Sequence, residues 1–177
     1  IMLVLLLLIT GLIVYVVSVS HIDPPKIADQ SALKLERKQI DSNCYAIGNN
    51  WFRKSKSGLW ELYVQGAPFE RGVICGKLTA ELVKRQEDNF TAQIRKMIPS
   101  ESYLKFLKYF IGWFNRNLAD HVNEENKEEI YGISFSASDD YGYIGTKYER
   151  LMNYHAAHDI GHALQSMALV GCTSFAT

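Results

Sequence analysis

The residues best suited to chemistry lie near the end of the chain, in Val170-Gly171-Cys172-Thr173-Ser174. A thiol follows a glycine directly and precedes two hydroxyls. If the Gly171–Cys172 bond is cut, Cys172 becomes N-terminal, and its α-amine can serve as base for its own thiol. An α-amine titrates at about 7.7–8.0, well placed to accept that proton near neutrality. Gly171 leaves the scissile carbonyl unshielded and permits unusual backbone angles. The thiol can attack that carbonyl to form a thioester, which water then releases. A Gly-Cys pair alone is a weak signal, and the ordinary reading of Cys172 is a small buried hydrophobe.

A second set is His155, His158 and His162, with Asp159 between the last two. Histidines at i and i+4 share one helical face and can bind zinc. The zinc-protease pattern carries a Glu base after the first His; here Asp159 is a methylene shorter. Gly161 weakens the helix by ~1 kcal/mol relative to Ala. No third ligand follows, so we read a packed or hydrogen-bonded histidine helix and expect no metal. Asp139-Asp140 reads as a turn, because adjacent carboxylates usually point apart. Glu70-Arg71 reads as a charge pair at a helix start. Cys44 and Cys75 either pair in an oxidising compartment or leave Cys75 as a buried thiol. No lipid-attachment sequence surrounds Cys44. Asn89-Phe90-Thr91 is a glycosylation acceptor pattern, meaningful only in a eukaryotic source.

The elements that must position these residues are mostly helical. Lys147 to Leu169 has apolar residues at helical spacing and ends before Gly171. Phe69, Val73, Leu78, Leu82, Phe90, Ile94 and Met97 predict one long amphipathic helix, opened by Pro68 and ended by Pro99. Ser100 can cap a helix running to about Leu118. Its aromatic centre, Tyr103 to Phe114, reads as a core helix or, more sharply, as a membrane-surface helix. Asn123 to Tyr131 reads as a solvated helix face, and Ser134 to Gly145 as a loop. One strand is visible, Trp60 to Val64, bounded by Gly58 and Gly66. Residues 21–58 read as a linker, with Pro24-Pro25 stopping any helix entering it.

Ile1 to Ser20 carries no ionisable group apart from Tyr15. A run of about 18 apolar residues approaches the length that crosses a bilayer core. Ser18-Val19-Ser20 offers a small-x-small cleavage site. The segment therefore predicts a retained envelope anchor or a removed signal peptide, with an exported remainder. The full chain has 177 residues, with 19 Lys plus Arg balancing 19 Asp plus Glu. Zero net charge disfavours a nucleic-acid binder. A hydrophobic share of 47% with 21% charged residues is globular rather than disordered. Three cysteines without CxxC spacing exclude a disulfide scaffold and a zinc ribbon. Neither GxGxxG nor GxxxxGK[ST] occurs.

Three segments appear in a telling order: Gly66-Ala67-Pro68-Phe69-Glu70-Arg71-Gly72 with Gly76, then Glu128-Glu129-Ile130-Tyr131-Gly132-Ile133-Ser134, then Gly171-Cys172-Thr173-Ser174. Together they resemble the acyl-coenzyme A:6-aminopenicillanate acyltransferase family of autoproteolytic N-terminal-nucleophile (Ntn) hydrolases. The first is similar to that family's G-x-P-[FY]-E-x-G-x-x-x-G opening, the second to its E-E-[IL]-x-G-[IL] segment, the third to its G-C-T-[ST] self-cleavage site. The resemblance implies an α+β chain, the N-terminal and mostly helical part of an αββα sandwich. It implies cleavage between Gly171 and Cys172, with Cys172 as nucleophile and Thr173 and Ser174 lining the site. The substrate would be a small acyl-amide or acyl-thioester, with no cofactor. Residues 1–20 would be the anchor or signal, 59–171 the leading chain, and 172–177 the start of the catalytic chain. With five residues after Cys172, the chain reads as the front of a precursor whose catalytic remainder is its partner. The alternative is a non-catalytic, membrane-tethered helical module binding through Tyr103–Phe114.

Overall fold

The computed structural model describes residues 2–165, with side chains as far as 156. The fold is mixed α+β. An apolar helix, α1 (Met2–Val19), leads into a 3-10 turn (Ser31–Lys34) and four strands: β1 (Lys38–Asp41), β2 (Cys44–Ile47), β3 (Asn50–Lys54) and β4 (Trp60–Tyr63). Helices α2 (Pro68–Leu78), α3 (Ala80–Met97), α4 (Glu101–Phe114), α5 (Glu124–Ser134) and α6 (Lys147–Gln165) follow, with a 3-10 turn at Leu118–His121. α1 is long and apolar enough to span a membrane or act as a signal sequence, and none of its residues is buried.

Residues 38–54 are therefore strands, not linker. The four strands form an antiparallel meander in chain order. Gly48, at φ +56°, turns β2 into β3 with Ile47 opposite Asn50, the glycine-assisted geometry of a tight hairpin. Asp41 begins another turn by accepting the Asn43 N–H at 2.6 Å. Phe52 stacks on Trp60 across the β3–β4 pair, centroids 4.6 Å apart. Ile47 and Phe52 then pack on Ile74 and Leu78 of α2. The segment before the sheet is docked as well. Lys77 donates to the Leu33 and Leu35 carbonyls at 2.6 and 2.5 Å, and Arg37 pairs with Glu81 at 2.7 Å.

The long helix expected over Phe69–Met97 is two helices. At Thr79 the backbone leaves helical geometry, and the hydroxyl donates to the Cys75 carbonyl at 2.7 Å. A side chain bonding its own backbone in this way competes with helix continuation. The expected apolar face of α3 is also displaced. Leu82 and Phe90 are exposed, whereas Glu87 and Thr91 are buried. α4 starts as expected, with Ser100 Oγ accepting the Tyr103 N–H at 3.3 Å, but ends at Phe114 rather than Leu118. α5 is not simply solvated: Ile130, Gly132 and Ser134 are buried. Ile130 joins Ile22, Ala137, Tyr148, Leu151 and Met152 in the main apolar cluster.

Candidate functional site

Two segments far apart in sequence meet at the crossing of α2 and α5. Pro68 occupies the first turn of α2, where its missing N–H costs no hydrogen bond. One turn on, Gly72 lies against the backbone of Glu129; a Cβ there would sit 2.9 Å from Glu129 Cα. From the other side, a Cβ at Gly132 would lie 2.6 Å from the Val73 nitrogen. Gly76 extends the contact, its would-be Cβ 3.1 Å from Ile133 Cα. Beside this seam the Arg71 guanidinium donates to Glu129 at 2.6 Å and to Glu125 at 2.8 Å. These bonds raise its already high pKa further. Phe69 closes the far end against Tyr131 and Phe135.

A second polar assembly holds the start of α6, the helix that leads in sequence towards Gly171. Glu87 of α3 and Arg150 of α6 pair at 3.0 Å, both side chains 1% exposed. Arg150 also donates to the Gly145 carbonyl at 2.9 Å and the Ser138 carbonyl at 2.6 Å. The other Glu87 oxygen accepts the Ser138 N–H at 2.7 Å. One buried ion pair thus ties two helices and the loop between α5 and α6. Adjacent to it, Thr146 and Glu149 cap α6 reciprocally, at 2.7 and 3.2 Å. Glu149 also accepts from the Ile22 backbone at 3.3 Å and lies 2.6 Å from His21 Nδ1. Burial pushes this carboxyl up, but those bonds outweigh it and hold its pKa below the ordinary value.

Between this clamp, α4 and the end of α1 lies a cavity of about 1060 Å³, bordered by Val17, Phe90, Tyr109, Ile111, Glu149 and Tyr154. Phe90 and Tyr154 meet in it at 4.7 Å between centroids. The hydroxyls of Tyr154 and neighbouring Thr91 are buried and find no hydrogen-bond partner among the described residues. Burial pushes Tyr154 up to about 12, so its hydroxyl stays neutral.

The sequence-nominated residues are distributed unevenly over these features. Gly171, Cys172, Thr173 and Ser174 lie outside the described residues. His155 is exposed on α6; His158 and His162 continue that helix, but their side chains are outside the description. Among the described residues no group of three His, Cys, Asp or Glu could hold a metal. Asp139 bonds Lys147 at 2.8 Å while Asp140 bonds Ser138, so the two carboxylates act separately. Among the described residues Cys44 and Cys75 are free thiols, not paired with each other. Burial, with the Glu129 charge adding to it, pushes the Cys75 thiol up, away from the reactive thiolate form. The Glu87–Arg150 pair had no local signal, since its partners sit on different helices. The Glu149 cap did: Thr146-x-x-Glu149 is a capping-box pattern. Compared with known proteins, the chain matches no family model, no curated protein and no solved structure.

Proposed function

We propose that this chain is the leading part of a self-cleaving cysteine Ntn amidohydrolase or acyltransferase, cut between Gly171 and Cys172. The observation that carries the reading is the α2–α5 seam. Gly66–Gly72 and Glu128–Ser134, set apart by pattern, pack on each other through Gly72 and Gly132. The two patterns are therefore halves of one packing unit, and the third, Gly171-Cys172-Thr173-Ser174, follows α6 in the same order as in the family. In the proposed whole enzyme these helices flank an αββα sandwich supplied by the chain after the nucleophile. In this reading α1, long and apolar enough for a membrane span or a signal sequence, is the envelope anchor or signal segment of an exported protein.

The proposed chemistry needs no cofactor. The Cys172 thiolate adds to the Gly171 carbonyl carbon. The tetrahedral intermediate collapses by expelling the Cys172 nitrogen, which takes a proton and becomes a free α-amine. Water then attacks the resulting thioester, leaving a Gly171 carboxylate and restoring the thiol. In the mature enzyme that α-amine accepts the thiol proton as sulfur attacks a linear amide or thioester. It returns the proton to the leaving amine or thiol. Water or an acceptor amine then takes the acyl group, with Thr173 and Ser174 lining the site. Arg71, Glu87 and Arg150 serve as positioning residues, holding α2 to α5 and α3 to α6.

The test is intact mass and N-terminal sequencing of the protein expressed from its full reading frame, beside Cys172→Ala. A new N-terminus at Cys172 in the wild type alone is expected. One uncleaved species in both would overturn the reading and favour a membrane-tethered helical binding module, for which the exposed aromatic face of α4 speaks.

A further inference from the structure

Residues three or four apart on a helix share a face. In α4 this puts Tyr103, Phe106, Phe110 and Phe114 on one side and Leu104, Lys108 and Gly112 on the other. A helix packed on a soluble domain buries its apolar side; α4 does the reverse. Leu104 and Gly112 are the buried residues, while Phe106, Phe110 and Phe114 are 64%, 55% and 69% exposed. Two ring pairs sit along it: Tyr103 stacks with Phe106 at 6.2 Å, and Phe110 leans on Trp113 at 6.1 Å.

What lies next to α4 identifies what covers it. Gly112 abuts Ser20, the residue after α1; a Cβ there would stand 2.7 Å from Ser20 Cβ. α4 therefore crosses the end of an 18-residue apolar helix with nothing buried along it. A helix fixed at the end of a bilayer span lies at headgroup level, where aromatic rings and long basic side chains are favoured. Lys108 sits over the Tyr109 ring at 4.9 Å, and Arg116 over Trp113 at 5.1 Å. The acid on this helix, Glu101, is neutralised by Lys105 at 2.9 Å.

We infer that α4 is an interfacial helix whose Tyr103–Phe114 face lies in the lipid boundary of the bilayer that α1 enters, at a depth fixed by the Gly112–Ser20 contact. Its basic side chains meet anionic headgroups, and the cavity bordered by Val17, Tyr109 and Ile111 stands beside lipid.

The test uses the full chain reconstituted in phosphatidylcholine vesicles containing phosphatidylglycerol. Single fluorophores are placed at Phe106→Cys, Phe110→Cys and, as the aqueous reference, Ser57→Cys in the β3–β4 turn. The background carries Cys44→Ser, Cys75→Ala and Cys172→Ser. All three labelled positions are exposed, so the labels leave packing intact. Labels at 106 and 110 should be quenched by nitroxide lipids and be about fivefold less accessible to iodide than the label at 57. Equal iodide access at all three positions would overturn the inference. Protection from iodide without nitroxide quenching would also overturn it, by showing that protein rather than lipid covers the face.

Discussion

Two helix pairs in this molecule are held in opposite ways. α2 and α5 touch backbone to backbone because Gly72, Gly76 and Gly132 leave no side chain between them. α3 and α6 are joined by long side chains, the buried Glu87–Arg150 pair and its bonds to the loop at Ser138 and Gly145. The first contact fails if an atom is added; the second fails if one is removed. Close approach stabilises through many small dispersion contacts. A buried charge pair contributes little net stability while intact, but each partner is costly to leave alone.

That asymmetry predicts the largest effect at the clamp. Arg150→Ala strands Glu87 in a site where its side chain is 1% exposed and takes donors from two carbonyls. Breaking such a pair costs about 3–5 kcal/mol, read as a lower denaturation midpoint. Combining it with Glu87→Leu should recover part of the loss. Recovery stays incomplete, because the Ser138 N–H and the two carbonyls remain unserved. If Arg150→Ala cost less than about 1 kcal/mol, in the range of an exposed pair, the contrast between the two helix pairs would collapse.

At the glycine seam the expected loss is smaller and needs only one methyl group. In Gly132→Ala the new Cβ meets the Val73 nitrogen, which is backbone and cannot swing aside. Overpacking of this kind costs about 1–3 kcal/mol. Gly142→Ala is the matched control, since the nearest atom to its Cβ would be 3.8 Å away, and it should be close to neutral. Equal denaturation midpoints for the two variants would mean that the helices can part without cost.

The two pairs also differ in how visibly they are written. Glycines placed beside Pro68 and Ile130 mark the seam in the sequence, as Ser100 marks the start of α4. The clamp leaves no such trace, because a Glu and an Arg within helices read as solvated until their helices are packed. Strands β1 to β3 escaped for a related reason. They are four or five residues long, and all of β1 is exposed, so no apolar alternation announces them. Gly48-Asn49 after Ile47 was the available hairpin signal. The Thr79 break was hidden because apolar spacing runs through it on both sides. The nucleophile is the reverse case: Cys172 stands on sequence pattern and lies outside the described residues.

The smallest effect should come from the edge of the clamp and depend on pH. Glu149 is held below its ordinary pKa by bonds from Thr146, Ile22 and His21, against the opposing push of burial. A carboxyl depressed in the folded state adds stability above its unfolded pKa of about 4.3 and loses that stability as pH falls through the folded value. Glu149→Gln keeps the shape but not the charge that the capped helix start favours. At pH 7 the variant should therefore be less stable by up to about 1 kcal/mol, the scale of a helix-end charge. The gap should close as the wild type is titrated below pH 4, leaving only the difference between a protonated acid and an amide. The seam between α2 and α5 is spared in this variant, so the loss should appear as faster amide exchange at the start of α6 with exchange in α2 unchanged. A uniform increase through both helix pairs would show that seam and clamp unfold as one unit.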